Sequence, residues 1–374
     1  MPVYVKWPDR TRQAARTFVE SFPGETLYAV KCNSDELVLN CLYDAGVRSF
    51  DVASLNEVRH IRNLFPDARL YFMGPVKKRS AIREAYFEHG VRAFVLDMED
   101  ELNKILESTD YAEDLHLFVR LALPKSDTAT DFSSKFGAAP IVAIDLLKQV
   151  ARYAYKLGLS FHVGTQCLEP EAYRKAIHLA ADVIRSAGVK LDTLDIGGGF
   201  PSGMGEGKTP PVDAYMKTIR KALSDNDLSQ VHLLSEPGRA LVYSAGSTLV
   251  KVEARRGHIL YLNDGTYGGL FESSASIGIT YPAQAFRLNG TFGTKKSEFT
   301  LMGPTCDSID CMAGKYSLPE NIAEGDYIAF DMTGAYTEET RTPFNGFSEV
   351  REIIQPGIPL RKVERQTKKK LAAV

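Results

Sequence analysis

Between residues 27 and about 236 the chain alternates short apolar runs with longer stretches in which apolar residues recur at spacings of three and four. Eight of the runs predict strands: "LYAV" (27–30), "RSFDVA" (48–53), "LYFMG" (70–74), "RAFVLD" (92–97), "LHLFVRLAL" (115–123), "SFHVGT" (160–165), "LDTLDIGGG" (191–199) and "VHLLSEPG" (231–238). Near-continuous apolar runs of this length suit strands covered on both faces. The stretches between them predict amphipathic helices, among them "SDELVLNCLYDAG", "SLNEVRHIRNLF", "SAIREAYFEHG", "EDELNKILEST", "IDLLKQVARYAYKLG" (144–158) and "EAYRKAIHLAADVIRSAG", several closed by glycine. Seven helices separate the eight strands, and "RTRQAARTFVESF" (10–22) supplies an eighth ahead of the first. That repeat predicts a (β/α)8 TIM barrel over residues 11–240.

Past residue 240 the period changes to short β-rich runs, "LVYSAGSTLVKVEARR", "HILYLNDG", "EFTLMGPTCDS" and "YIAFDMTGAY", with turn residues between them. They predict a second, all-β domain over 241–374, sandwich-like or barrel-like, which the early "PVYVKW" joins as a strand within 1–7.

Composition works mainly by exclusion. Among 374 residues, 45 basic and 47 acidic side chains leave a formal charge of -2, which favours neither nucleic acid nor a membrane surface as partner. The basic "RKVERQTKKK" near the C-terminus reads as a solvated tail. No basic leader precedes a long apolar run, and none reaches spanning length, so a soluble, cytoplasmic protein is expected. Five cysteines with no Cys-x-x-Cys pair argue against a disulfide framework or a metal site.

Barrels of this kind place their chemistry at the C-terminal ends of the strands. Those ends carry Lys31, Asp51, Arg120, His162, the Gly197-Gly198-Gly199 run and Glu236. A lysine closing an apolar run is costly unless wet, paired or functional, and six polar positions on one rim favour function. Three successive glycines leave backbone N–H groups able to approach an anion, and "EPGR" after the last strand adds Gly238 and Arg239. An anion seat with one lysine suggests pyridoxal 5'-phosphate (PLP) held as a Schiff base. The aldehyde needs an amine, the pyridine nitrogen an acid and the ring a flat support, roles open to Lys31, Glu236 and His162. His162 is otherwise an ordinary core histidine.

The motifs "YAVKCN", "FDVAS", "SKFG", "FHVGTQC", "DIGGGFP", "EPGR", "GPTCDSID", "TGAYT" and "FNGF", in order over about residues 27–347, resemble the fold-type III, PLP-dependent basic amino-acid decarboxylases. These act on ornithine, lysine, arginine or diaminopimelate, and "CDSID" is similar to the ornithine and lysine enzymes. The resemblance implies that Lys31 binds the cofactor aldehyde, Glu236 the pyridinium nitrogen, and that His162 stacks on the ring. It implies that Thr165, Gly198, Gly199, Gly238, Arg239 and Tyr336 hold phosphate, with Asp51 and Arg120 near the lysine. Cys306 would protonate the α carbon and Asp307 face the distal ammonium of the substrate. It further implies a homodimer whose active sites are composite, with Cys306, Asp307 and Tyr336 reaching the partner's cofactor.

The chain departs from the pattern after "NDGTYGGLFE". The ornithine enzymes usually offer a further acid there, whereas Ser274 and Ser276 carry no charge and Glu272 lies a few residues earlier. The expected reaction is decarboxylation of L-ornithine to putrescine and carbon dioxide. The alternatives are a decarboxylase of lysine, arginine or a specialised amine-bearing acid. An amino-acid racemase fits less well because it would use a base on the opposite face and gives no reason for "GPTCDSID", and an inert regulatory homologue because Lys31, Glu236, His162 and Cys306 are all present.

Overall fold

The computed structural model describes residues 1–124, 135–203 and 207–355. The basic tail and Ser134 of "SKFG" lie outside the described residues. The chain divides into two units, one of residues 15–36 and 43–241, the other of 1–14, 37–42 and 242 onward.

Its elements begin with β1 (Val3–Lys6) and α1 (Pro8–Ser21). Then come β2 (Glu25–Ala29), α2 (Glu36–Asp44), β3 (Ser49–Val52), α3 (Leu55–Leu64), β4 (Arg69–Phe72), α4 (Arg79–Phe87), β5 (Ala93–Leu96) and α5 (Glu99–Ser108). The series continues with β6 (His116–Arg120), α6 (Pro140–Val150), β7 (Lys156–Ser160), α7 (Glu171–Ala187), β8 (Thr193–Asp195), α8 (Val212–Asp225) and β9 (His232–Ser235). Strands β2 to β9 close into a parallel barrel, β9 returning to β2 through Glu25 opposite Leu234 and Thr26 opposite Ser235. This is the (β/α)8 architecture expected from the alternating pattern. Leu27, Tyr71, Met73, Val95, Phe118 and Leu234 fill the interior.

Local chemistry sets the helix ends. Ser54 caps α3 by accepting from the Glu57 N–H at 3.2 Å, and the Glu57 carboxylate reaches back to the Ala53 N–H at 2.7 Å. Helix α7 buries Tyr173, Ala176, Ile177, Ala180 and Ile184 on one face and stops at Gly188. There φ is +65°, and the N–H bonds back to the Ile184 and Arg185 carbonyls.

The stretch 144–158 is not a single helix. Helix α6 ends at Val150, and Lys156–Ser160 forms β7, so only the first residue of "SFHVGT" lies on a strand and the rest follows it. Gly158 is a strand residue because a Cβ there would sit 2.2 Å from Cδ1 of Phe118.

In the other unit, after the short helix α9 (Arg239–Val242), come β10 (Gly246–Arg256), β11 (Ile259–Leu262), β12 (Ala283–Phe286), β13 (Lys296–Met302), β14 (Tyr316–Pro319), β15 (Tyr327–Asp331) and β16 (Arg351–Ile354). Residues 241–243, read from sequence as strand, are helical here. The sheet runs β12-β15-β10-β11-β13-β14, and β1 joins it antiparallel to β10 while taking β16 in parallel on its other side. Val250, Val252, Leu260, Phe299, Leu301, Ile328 and Phe330 form its core. Among the described residues no helix is long and apolar enough to cross a membrane.

Candidate active site

Strand β2 stops at Ala29, and Lys31 stands on a single 3-10 turn, Val30–Cys32, just beyond it. The chain leaving the turn is tied down twice. The Tyr28 hydroxyl donates to the Asn33 carbonyl at 2.9 Å, and the His60 ring meets the Ser34 carbonyl at 2.9 Å. Parallel register sets Asp51 of β3 opposite Ala29. From there its Oδ2 meets Lys31 Nζ at 2.5 Å, the carboxylate 1% exposed and the lysine side chain 47%. The amine is therefore anchored from inside the barrel while the lysine side chain stays nearly half exposed. Asp51 Oδ1 is buried without a hydrogen-bond partner.

Glu236 follows β9, its N–H donating to the Gly197 carbonyl at 2.9 Å. Burial, then the Asp195 and Asp51 carboxylates, push its pKa well above the usual carboxyl range, while Lys31 and Arg120 oppose the shift. Three carboxyls thus share this floor with two cations. The raised pKa favours a proton on Glu236, one that a basic ring nitrogen beside it would share. Arg120 closes β6, with Phe136 5.7 Å from its guanidinium.

His162 lies two residues beyond β7, and its Nδ1 accepts the Gly164 N–H at 2.9 Å. That bond requires an unprotonated Nδ1. Burial, followed by the charges of Arg120 and Lys31, drives the pKa from 6.5 to about 3. The ring is neutral and suited to stacking on a flat heterocycle.

The glycine triplet is shaped by close approach. A Cβ on Gly198 would lie 2.5 Å from the Glu236 carbonyl and 3.2 Å from His162 Nε2. At Gly199, where φ is +94°, it would lie 2.2 Å from the Gly164 carbonyl. All three carbonyls are committed: Gly197 to the Glu236 N–H, Gly198 to the Tyr173 hydroxyl at 2.8 Å, and Gly199 to the Cys167 N–H at 2.8 Å. Among the described residues the N–H groups of Gly198 and Gly199 have no hydrogen-bond acceptor, which leaves them to offer an anion. The Ser202 N–H donates to Gln166 Oε1 at 2.8 Å and Gln166 Nε2 donates to the Ser202 hydroxyl at 3.0 Å, fastening the loop that carries Thr165 to the one after the triplet. Gly238 abuts Cys32, where a Cβ would come within 2.9 Å, and Arg239 opens α9 at 8% exposure. A cradle closed to any Cβ, the neutral histidine and the surplus of carboxyls all fit PLP.

Lys31, Asp51, Arg120, His162, Thr165, Gly198, Gly199, Glu236, Gly238 and Arg239 thus share the barrel unit. Cys306, Asp307 and Tyr336 belong to the other. Cys306 is exposed, and its N–H donates to Asn345 Oδ1 at 3.0 Å. Asp307 accepts from the Tyr267 hydroxyl at 2.6 Å and the Ile309 N–H at 3.1 Å, which hold its carboxyl below the usual range. Asp310 pins the same loop. It accepts from the N–H and hydroxyl of Thr266 at 2.7 and 3.0 Å, and from those of Thr305 at 3.1 and 2.8 Å. Tyr336 takes φ of +54°, a region costly for a bulky residue. The hydroxyls of Ser274 and Ser276 bond each other at 3.0 Å, and Glu272 is buried in the turn Phe271–Ser273. Asp195, Asp310 and Tyr267 were not singled out from sequence.

A family profile described as pyridoxal-dependent decarboxylase, pyridoxal binding domain, matches residues 9–243. The chain belongs to that family. This decarboxylase is 32% identical to the ornithine decarboxylase of Caenorhabditis elegans over 354 residues, 87% of this chain and 80% of that one. To the lysine/ornithine decarboxylase of Selenomonas ruminantium it is 32% identical over 358 residues, 93% and 88% of the two chains. The solved lysine/ornithine decarboxylase of Vibrio vulnificus, complexed with putrescine, superposes with a TM-score of 0.80 at 32% identity, covering 95% of this chain and 94% of the other. The fold-type III expectation holds, and so does the expectation of a PLP-dependent amino-acid decarboxylase.

Proposed function

We propose that the decarboxylase converts L-ornithine to putrescine and carbon dioxide, working as a cytoplasmic homodimer with composite active sites. The observation that carries this reading is the Lys31 amine, anchored by Asp51 at 2.5 Å at a mouth whose floor holds a surplus of carboxyls. The relatives named for ornithine and lysine support a basic substrate, and five free cysteines suit a reducing compartment.

When bound, PLP supplies an electron sink for the pair that carbon dioxide leaves behind. Lys31 would hold the aldehyde end through its amine, and Glu236 would hold the ring nitrogen through its carboxyl. His162 would support the ring as a neutral imidazole, with the charge of Arg120 nearby. Thr165, Gly198, Gly199, Gly238, Arg239 and Tyr336 would hold the phosphate. Cys306 Sγ delivers a proton to the α carbon, and Asp307 accepts the distal ammonium of the substrate.

Carbon dioxide release from L-ornithine, L-lysine, L-arginine and neutral L-norvaline tests the proposal. Release is expected from ornithine first and not from norvaline. No release from any basic amino acid would overturn it. For the shared site, mixing inactive Lys31→Ala with inactive Cys306→Ala protein should restore about a quarter of the activity, because random pairing gives half mixed dimers with one intact site each. No recovery on mixing would refute sharing.

A further inference from the structure

Asp307 does not stand alone in its loop. Its Oδ2 receives the Tyr267 hydroxyl at 2.6 Å, and its Oδ1 the Ile309 N–H at 3.1 Å, so both oxygens are oriented before substrate arrives. The tyrosine is itself held on three sides. Its ring lies on Phe344 with centroids 4.8 Å apart and planes at 31°. Its carbonyl accepts from both the N–H and the hydroxyl of Thr342, at 2.9 and 3.2 Å. The preceding Thr266 is bound twice by Asp310. Two glycines follow, at which a Cβ would meet the Asp264 and Arg341 side chains, so the segment has little room to drift.

A hydroxyl placed this way can do one of two things. It can brace the loop, which the four hydrogen bonds to Asp310 already do, or it can fix the direction in which a carboxylate presents its remaining lone pairs. Ser274 and Ser276, seven and nine residues beyond Tyr267 in the chain, offer only neutral hydroxyls, bonded to each other.

We infer that Tyr267 is a positioning residue for substrate selectivity: its hydroxyl orients the Asp307 carboxylate toward the distal ammonium of a basic amino acid. The inference rests on the reading of Asp307 given above. A hydrogen bond to a charged group loses direction and strength when the donor goes, while the reacting carbon is untouched. The loss therefore falls on binding of the charged side chain and not on the chemical step.

Tyr267→Phe in the holoenzyme keeps the ring on Phe344 and removes only the hydroxyl. The expected result is a rise of about tenfold in KM for L-ornithine with kcat within about twofold, and unchanged inhibition by neutral L-norvaline. Asp307→Asn should raise KM at least as far, and the double variant should bind ornithine no worse than Asp307→Asn alone. If Asp307→Asn raises KM and Tyr267→Phe does not, the inference fails and the function assigned to Asp307 stands. If neither changes KM, both fail. A parallel loss of kcat and of norvaline binding would mark the hydroxyl as a brace and overturn the inference. Should Tyr267→Phe not fold, Phe344→Leu keeps the hydroxyl but frees the ring, and an unchanged KM there would refute the inference equally.

Discussion

Replacing His162 by asparagine separates the acceptor role of its ring from its titration. Asparagine readily accepts a hydrogen bond from the backbone two residues on, so the Gly164 N–H keeps a partner while the ionisable group disappears. The wild-type imidazole carries a pKa of about 3 when folded against 6.5 ordinarily. Its folded value is depressed, so the unfolded chain binds the extra proton. Stability is then complete above pH 6.5 and drains away as the pH falls toward 3. At pH 5, about 1.5 pH units below the unfolded value, protonation favours the open chain by up to about 2 kcal/mol, and by far less at pH 7. Urea unfolding of cofactor-free protein, followed by circular dichroism, measures it. The stability of wild type relative to His162→Asn should fall by up to about 2 kcal/mol between pH 7 and pH 5. A difference that stays constant across that interval would mean the imidazole titrates normally, and the argument for a neutral stacking ring would be wrong.

Lys31→Ala should abolish the borohydride-fixed cofactor adduct seen by mass spectrometry, and an adduct persisting on the variant would refute the assignment of this amine. Gly198→Ala puts a Cβ 2.5 Å from the Glu236 carbonyl and 3.2 Å from His162 Nε2, so retention of PLP on dialysis should weaken at least about tenfold, the equivalent of about 1.4 kcal/mol and within the usual range for overpacking. Retention equal to wild type would show that the cradle lies elsewhere. Gly158→Ala, 2.2 Å from Phe118, should lower stability by about 1–3 kcal/mol in urea titration, and Phe118→Leu in the same chain should recover part of the loss; no loss would refute the close packing.

The eight-strand repeat was legible because burial on both faces leaves apolar runs that turn signals cut cleanly, and the helix between β8 and β9 follows from the same rhythm. Strand β7 was misread for a physical reason. Gly158 looked like a helix-closing glycine, whereas it is there to make room for the Phe118 ring inside the barrel. The rim residues Lys31, Asp51, Arg120, His162 and Glu236 could be picked out one by one. Their pairing could not, since the bond between Lys31 and Asp51 depends on a register of two strands that no local pattern reports. Asp195 was hidden inside an apolar run that read simply as strand. Tyr267 sits in a glycine-rich turn whose partner lies 40 residues away, so nothing near it announces the bond.

The placement of Lys31 sets a direction as well as a position. Its side chain is nearly half exposed, yet its tip is tied to a carboxylate rooted in the adjacent strand. Held at its root by the 3-10 turn and at its end by Asp51, the side chain sweeps only a narrow arc. A carbonyl that is to meet this amine has to come in along one line of approach, and the register of two strands draws that line.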